Sequence, residues 1–289
     1  ELLARVGRGE VVLTVAAHGR TGHDPAELAV SARRDAEGAW VLDGVQTAVP
    51  WAHHADFVLV PATVSPESVV PGLSADEAER DTAAAAGGRA VLALVPRVHA
   101  GVTLAEQIST NGERLAELRL ESARIAARDI IDAEGAWERL RDLLTTGTCA
   151  LALGLGEAVL GMTSEYAGKR EQFGFPIASF QAVAVQAADR FIDLRAMEAT
   201  LWQAAWRITS GAGGALPAAG DVSVAKIWAS EGVRRVVQTA QHLHGGFGAD
   251  VDYPLHRYHA WAKHLELSLG PAAAHEEALG DLLAAHPLG

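Results

Sequence analysis

The sequence predicts an α+β protein in which a β-rich domain, a barrel or a sandwich, precedes a C-terminal four-helix bundle. Before residue 130, short runs rich in Val, Leu and Ala alternate with turn segments such as GRTGHDP and AEG, a texture typical of strands. After Ile130 the apolar period lengthens from two residues to roughly 3.6 and stays there. These observations divide the chain into a β-rich domain at 1–132 and a helical domain at 133–289.

Composition excludes several classes of protein. The chain has 289 residues, of which 49% are apolar and 21% charged, so it is long enough for two globular domains. A net charge of −12 argues against an extended nucleic-acid surface. The single cysteine, Cys149, excludes an internal disulfide and fits a reducing cytoplasm. Because no signal pattern or uninterrupted apolar run of about 18 residues is present, we expect a soluble, unexported protein that does not enter a membrane.

Strand-like runs account for the β-rich domain. Between Glu10 and Ala62 they read VVLTVAA, ELAVSARRD, AWVLDGV and ADFVLVPA, and the second alternates as a strand with one wet face does. The stretch 63–88 is rich in Pro, Ala and acidic residues, which predicts an exposed excursion. RAVLALVP, GVTLAEQ and LAELRLESARI then complete the domain by Asp129.

Four long helices are predicted for the second domain, over about 137–169, 179–210, 222–243 and 255–289. Asp221 or Ser223 is the expected N-cap of the third helix. The apolar repeat of the first helix includes Leu151 and that of the second includes Phe191, so we expect both side chains to be buried.

The corner between the first two helices, YAGKREQFGFPIASFQ at 166–181, combines helix-breaking residues with charged and amide side chains. Gly174 and Pro176 end the helical pattern, while Lys169, Arg170 and Gln172 place two cations and an amide at the break. This pattern predicts a corner that grips a cofactor. The alternative is an ordinary helix end, since cations there stabilise a helix by up to about 1 kcal/mol.

A second glycine-rich corner, HLHGGFG at 242–248, follows the third helix. Glycines at a helix end let backbone N–H groups approach a phosphate, although glycine is also the ordinary C-cap. We expect His244, and His256 further on, to bond to backbone or cofactor. His53 and His54 lack a third ligand, so no metal site is predicted, and Cys149 lies in an apolar helix where an inert thiol is expected.

Together, R-x-Q-F-G-x-P-I-x-x-F-Q at 170–181 and H-L-H-G-G-F-G at 242–248, followed by D-Y-P-L-H-R, resemble the acyl-CoA dehydrogenase family. The resemblance covers nearly the whole chain. It implies a β-rich middle domain followed by a helical C-terminal domain, with the N-terminal helical domain of the family absent from this chain.

The resemblance also implies FAD lying across a subunit interface. The arginine of the first motif would bind the cofactor's pyrophosphate, and the glycine pair of the second would hold its ADP part. His242 stands where the family usually has glutamine, with Gln241 one place earlier. The implied cofactor-binding residues are Arg170, Gln172, Phe173, Gln181, His242, Gly245 and Gly246.

The family reaction needs a carboxylate base to remove the α-proton of an acyl-CoA. The two positions at which family members carry that base correspond here to Leu269 and Leu144. Glu266 and Glu138 lie nearby and would serve only after a shift in register. The resemblance therefore implies that this chain contributes no catalytic residue.

Two stretches that contact the flavin ring in the family also differ: A-H-G-R-T-G-H-D at 17–24, and Ala48-Val49-Pro50 in place of W-I-T. A chain that keeps only the ADP-binding corner is similar to the non-catalytic subunit of actinobacterial heterotetrameric acyl-CoA dehydrogenases acting on CoA-activated steroid side chains. The segment YPLHRYHAWAK at 253–263 also resembles that subgroup. The implied partner is a homologous chain that carries the glutamate and binds the acyl-CoA.

Two other functions stay open. One is a flavin-dependent oxygenase on the same scaffold, against which the Ala48-Val49-Pro50 replacement argues. The other is a flavin-free structural homologue, against which the intact Arg170 corner argues.

Overall fold

The computed structural model describes residues 2–17, 28–64 and 89–286. The chain forms two compact units, Glu1–Arg141 and Asp142–Gly289. Most of the predicted excursion at 63–88 and most of the stretch 17–24 lie outside the described residues. The predicted mixture of a β-rich part and a helical part is confirmed.

The first unit begins with a short helix, α1 (Leu2–Gly7). The strands in its described residues are β1 (Leu13–Val15), β2 (Val30–Arg34), β3 (Trp40–Pro50), β4 (Phe57–Val64), β5 (Ala90–Pro96), β6 (Val102–Ile108), β7 (Arg114–Ile125) and β8 (Ile130–Ile131). They form one mixed sheet in the order β6-β7-β3-β2-β4-β5-β8, with β1 paired in parallel to β4.

Side-chain alternation explains the sheet. In β2, Val30 and Ala32 are buried while Ser31 and Arg33 face solvent, as the sequence predicts. In β4 and β5 consecutive residues are buried, at 60–62 and 91–93, so both faces of the sheet are covered there.

The Ala48-Val49-Pro50 segment lies at an irregular point of β3. The register against β7 shifts between Gln46 and Val49, and Ala48 has a φ of 55°. The N–H of Ala48 donates to Oε1 of Gln107 at 3.0 Å, which satisfies the backbone group that the irregularity removes from the ladder.

The second unit is helical. Helix α2 (Ala136–Lys169) begins in the first unit and leads to a hairpin of β9 (Glu171–Gln172) and β10 (Phe175–Pro176). Four further helices follow, α3 (Gln181–Ser210), α4 (Ala218–His244), α5 (Leu255–Leu267) and α6 (Ala272–Ala285).

Two sequence-based predictions about these helices are wrong. The last helical segment is two helices, because Leu269 and Gly270 have φ values of 57° and 96° and Pro271 begins a new helix. The third predicted helix starts at Ala218 behind Pro217, not at Asp221 or Ser223. Asp221 instead pairs with Nε of Arg207 at 3.1 Å.

The core of the second unit combines side chains of α2 to α5. Leu194, Met197 and Leu201 of α3 are buried as predicted. Leu151 and Phe191, however, are 63% and 54% exposed, so the prediction that both are buried is wrong. Their periodicity marks an apolar face that the chain itself does not cover.

One helix of the described residues, α2, is long and apolar enough to cross a membrane by length and composition alone. A core helix of a bundle passes the same test. Cys149, Ala152 and Val159 of α2 are buried in the core of the second unit, as such a helix requires.

Candidate functional site

The chain reverses direction directly after α2 through a two-residue hairpin turn. Phe173 and Gly174 both have positive φ, 56° and 81°, as the two central residues of a type I′ turn do. The N–H of Ile177 donates to the carbonyl of Arg170 at 2.8 Å and closes the base of the hairpin. This turn fixes the position of Arg170, the first residue after α2.

The second corner follows α4. Gly245 has a φ of 60° and a ψ of −142°, a conformation that a residue with a side chain would resist. A Cβ atom placed at Gly245 or Gly246 would meet no heavy atom within 4 Å, so the peptide backbone is bare on this side. Nε2 of Gln241 donates to the carbonyl of Gly245 at 2.8 Å, and this hydrogen bond stabilises the turn.

Four aromatic rings join the two corners. Tyr166, near the end of α2, stacks on His244 with 4.2 Å between ring centroids and on Phe247 with 5.8 Å. Tyr253 lies 4.4 Å from Phe247. Stacking of this kind contributes about 0.5–1.5 kcal/mol per pair. The cluster therefore holds the glycine turn against the end of α2.

His244 is the polar centre of that cluster. Its Nδ1–H donates to the carbonyl of Ala240 at 2.8 Å, and its Nε2 accepts from the hydroxyl of Tyr253 at 3.0 Å. Burial lowers the pKa of His244, and burial likewise raises the pKa of Tyr253. Both groups are held in their neutral forms, which confirms that His244 serves as a hydrogen-bonding residue.

A pocket of about 520 Å³ lies between the two corners. It is lined by Met162, Glu165, Tyr166, Lys169, Arg170, Phe247, Tyr253 and Pro254. Lys169 donates to Glu165 and lowers the pKa of that carboxyl, so these two charges cancel. The guanidinium of Arg170 has no hydrogen bond or ion pair within the described part of the chain, which leaves one positive charge facing the pocket.

Of the predicted site residues, Arg170 is the one that lines this pocket. Gln172 turns its amide onto the carbonyl of Glu171 at 2.8 Å. Phe173 is 90% exposed and touches Phe180 edge-on, and Gln181 is exposed at the first turn of α3. His242 points to solvent. Sequence reasoning missed Phe247 and Tyr253 as lining residues, although both lie within the two motifs.

Leucines occupy the two positions at which the family carries its base, and a leucine side chain cannot accept a proton. Leu269 is buried, with a φ of 57°, and its carbonyl accepts from Nε2 of His275 at 2.8 Å. Leu144 lies half-buried inside α2. Glu266 is ion-paired to Nζ of Lys263 at 2.6 Å, and Glu138 is exposed in the first turn of α2.

Residues 137–283 match the model of the acyl-CoA dehydrogenase C-terminal domain. The chain belongs to the acyl-CoA dehydrogenase family. The chain is 35% identical over 283 residues to the acyl-CoA dehydrogenase FadE27 of Mycobacterium tuberculosis, covering 96% of this chain and 69% of that protein. It is 31% identical over 239 residues to FadE28 of the same organism, covering 83% of this chain and 61% of that protein.

Solved structures give the same result. The ChsE4-ChsE5 complex from Mycobacterium tuberculosis matches with 34% identity and a TM-score of 0.83, over 98% of this chain and 69% of the matched chain. A variant of the Tcur3481-Tcur3483 steroid acyl-CoA dehydrogenase matches with 34% identity and a TM-score of 0.84, over 98% of this chain and 70% of the matched chain. Butyryl-CoA dehydrogenase from Megasphaera elsdenii shares the fold at 21% identity, with a TM-score of 0.80 over 98% of this chain and 70% of that one.

Family membership makes FAD the cofactor, and the residues at the two corners fit its diphosphate. An unpaired guanidinium, a bare glycine backbone and a pocket of about 520 Å³ provide the charge, the close approach and the space that such a group needs.

Proposed function

We propose that this chain is a subunit of an FAD-dependent acyl-CoA dehydrogenase that forms a double bond between the α and β carbons of a CoA thioester. In this proposal it supplies the ADP-binding half of an FAD site to a homologous partner. The observation that carries the proposal is the unpaired Arg170 guanidinium, which lines one pocket together with Phe247 of the glycine-rich corner.

Each part of the corner has a distinct task. Arg170 binds the diphosphate through charge-assisted hydrogen bonds, for which a planar guanidinium is well suited. The Gly245-Gly246 turn offers N–H groups without a side chain in the way. The ring cluster around His244 keeps the two corners at a fixed distance, so the binding groups are in place before the cofactor arrives.

The chemistry is divided between two chains. When bound, FAD accepts the β-hydrogen of the substrate as hydride. The α-proton must go to a base, and the leucines at 269 and 144 cannot take it. The homologous partner therefore supplies the carboxylate, the wall of the flavin ring and the acyl-CoA site, while this chain anchors the cofactor.

The names of two relatives support a proposal for the assembly and the substrate. Both solved relatives at 34% identity are named as pairs of chains, and one is named a steroid acyl-CoA dehydrogenase. We propose a heterotetramer of two such pairs acting on a CoA-activated steroid side chain. Cys149 is buried, and burial raises its thiol pKa to about 12, which suits a structural thiol in a reducing cytoplasm.

The test is to purify this chain alone and together with a homologous chain that carries a glutamate at the position of Leu269. Native mass and flavin absorbance per chain are recorded for both preparations. We expect no flavin on the chain alone and one FAD per two chains in the complex. If the chain alone binds one FAD and an acyl-CoA bleaches the flavin band, the division of labour is wrong.

A matched pair of variants tests the corner itself. Arg170→Ala should lower the flavin content of the complex at least tenfold without breaking the complex, because it removes the unpaired cation. Lys169→Ala removes a neighbouring cation that Glu165 already neutralises, so its flavin content should change less than twofold. Equal losses in the two variants would show that charge at this corner, and not Arg170, retains the cofactor.

A further inference from the structure

A cavity of about 230 Å³ lies in the first unit, beside the connection between β3 and β4. Five of the residues that line it carry an aromatic ring or a charge: Trp51, His53 and His54 of that connection, Glu106 of β6 and Arg114 of β7. We call this cavity the Trp51 pocket. Among the described residues no group of three or more His, Cys, Asp or Glu side chains could hold a metal ion, so the Trp51 pocket suits an organic ligand.

Trp51 has an unfavourable backbone conformation beside this cavity. Its φ of 54° belongs to the left-handed region, which a residue with a bulky side chain rarely adopts. The N–H of Trp51 donates to the carbonyl of Arg114 at 2.9 Å, and the N–H of His54 donates to the carbonyl of Trp51 at 2.9 Å. The indole is nevertheless 48% exposed and meets the ring of His54 edge-on, with 5.7 Å between ring centroids. Burial therefore does not account for a tryptophan here, and backbone strain of this kind is concentrated at binding sites.

Glu106 and Arg114 bring opposite charges to the Trp51 pocket. In the ladder of β6 and β7, Glu106 lies opposite Ala116, so it is diagonal to Arg114 on the same face of the sheet. Long side chains can meet across that diagonal, which spans roughly 7–8 Å. Neither side chain, however, has a hydrogen bond or an ion pair within the described residues. The pocket therefore presents an unpaired carboxylate and an unpaired guanidinium.

We propose that the Trp51 pocket binds a small zwitterion, an ammonium and a carboxylate carried on one carbon of a short aliphatic body, as in a free aliphatic α-amino acid. The guanidinium of Arg114 donates charge-assisted hydrogen bonds to the carboxylate, and the carboxylate of Glu106 accepts from the ammonium. The aliphatic body lies against the indole of Trp51 and the side chain of Leu115. This site goes beyond the cofactor-anchoring function and shares no residue with it.

The two charges of the pocket select against a ligand of one sign. A simple carboxylate would bind Arg114 but would lie close to the carboxylate of Glu106, and a simple amine would lie close to Arg114. Like charges at such distances repel, whereas a zwitterion pairs with both groups. The volume of the cavity is roughly eight times the 30 Å³ or so that a water molecule occupies in the liquid, which suits an amino acid of the size of leucine.

Calorimetric titration of the purified full chain with three compounds of similar shape tests the proposal. L-leucine carries both charges, 4-methylpentanoate lacks the ammonium, and 3-methylbutylamine lacks the carboxylate. We expect L-leucine to bind one to one with a Kd of about 1 mM or lower, and each analogue to bind at least about tenfold more weakly. Binding of either analogue as tight as that of L-leucine, or no binding of L-leucine, would overturn the proposal.

Variants of the two charged residues should have opposite selectivities. Glu106→Gln should weaken L-leucine binding at least tenfold and leave 4-methylpentanoate binding equal or tighter, because the repelling carboxylate is removed. Arg114→Gln should weaken L-leucine binding at least tenfold and leave 3-methylbutylamine binding equal or tighter. The matched control is Glu121→Gln, an exposed position of β7 that does not line the pocket, where the Kd for L-leucine should change less than twofold. Equal losses in Glu106→Gln and Glu121→Gln contradict the site.

Trp51→Asn separates the fold from the site. Asparagine tolerates the left-handed conformation, so relief of the strain offsets the lost ring contact and the melting temperature should stay close to that of the wild type. The affinity for L-leucine should fall at least fivefold. A folded Trp51→Asn variant that binds L-leucine like the wild type contradicts the site. None of these measurements depends on flavin, so failure of this proposal is distinguishable from failure of the proposed function.

Discussion

At the residue scale, Phe173 occupies a backbone conformation that suits it poorly. Its φ of 56° belongs to the left-handed region, which costs a residue with a side chain roughly 1–2 kcal/mol. Its ring is 90% exposed and has one edge contact, with Phe180 at 6.2 Å between ring centroids. Neither the strained backbone nor the single ring contact makes Phe173 a stabilising residue, so we propose that it serves the cofactor site.

We expect Phe173→Asn to separate stability from function. Asparagine tolerates the left-handed region, while the lost ring contact contributes only about 0.5 kcal/mol at an exposed site, so the free energy of unfolding should stay the same or rise by up to about 1 kcal/mol. Flavin retention by the complex should fall several-fold. Denaturant unfolding and flavin absorbance after gel filtration measure the two effects.

The control is Phe175→Asn, in the same hairpin but with an ordinary backbone conformation and 61% exposure. It should not be stabilised. If Phe173→Asn retains flavin as the wild type does, Phe173 does not line the cofactor site.

Sequence reasoning reached Arg170 and Gly245 because arginine and paired glycines carry a chemical meaning that survives without a structure. It predicted that His244 forms hydrogen bonds but did not identify both partners. The tautomer of that ring depends on a carbonyl one turn back and on Tyr253, nine residues away, and its pKa is lowered by burial in the folded chain. These hydrogen-bond partners are brought together only in the folded chain, and the spacing of residues in the sequence does not predict them.

At the element scale, a buried lysine ties two helices together. Lys226 of α4 is fully buried, and its Nζ donates to Oγ of Ser230 at 2.7 Å. It also donates to the carbonyls of Leu265 at 3.2 Å and Glu266 at 2.9 Å, at the end of α5. A cation at a helix C-terminus satisfies carbonyls that the helix itself leaves unpaired. Lys226 therefore holds the corner that leads to Leu269.

Replacement by methionine tests that role. Burial lowers the pKa of Lys226 from its ordinary 10.5 to about 8. At pH 7 the amine is charged and saturated with acceptors, so Lys226→Met should reduce the free energy of unfolding by about 2–4 kcal/mol through the carbonyls left unpaired. Lys263→Met, at a half-exposed lysine of α5, should cost less than about 1 kcal/mol.

The pH dependence of the difference is the sharper measurement. Between pH 8 and 10.5 the unfolded state binds the Lys226 proton and the folded state does not, so stability contributed by this group rises with pH. Wild-type protein should gain stability relative to Lys226→Met across that window and show no change in the difference below pH 8. A difference independent of pH up to 10.5 would mean that the buried amine keeps its ordinary pKa.

The positions of some helices could be predicted from the sequence more accurately than those of others, and the reasons are physical. Long periodic helices such as α2 and α3 could be located within two residues. The break between α5 and α6 was not predicted, although Gly270-Pro271 is a pair that favours turns, and leucine is an unusual residue for the left-handed conformation found at position 269. Tertiary bonds from His275 and Lys226 hold that conformation against its local preference.

At the scale of the whole molecule, periodicity identifies apolar faces without saying which molecule covers them. The prediction that Phe191 and Leu151 are buried in the chain's own core is wrong, although the pattern that produced it is real. Helix α3 has two such faces, and only one can point into the bundle. The other, which includes Phe191, is exposed on this chain.

We propose that catalysis is likewise divided between this chain and its partner, and two carboxylates of this chain test that proposal. Glu266 is the nearest acid to Leu269, yet its carboxylate pairs with Lys263 at 2.6 Å and its carbonyl accepts from Lys226. Glu138 is exposed in the first turn of α2. Glu266 is therefore engaged by Lys263, and Glu138 lies six residues, nearly two helical turns, before Leu144. Glu266→Gln and Glu138→Gln, each assembled with the partner chain, should therefore leave acyl-CoA turnover within twofold of the wild-type complex and flavin content unchanged.

The control is made in the partner chain. Replacing its glutamate at the position equivalent to Leu269 by glutamine should abolish turnover while flavin stays bound. A hundredfold loss in Glu266→Gln with flavin retained would place the base in this chain and reverse the assignment of the two subunits.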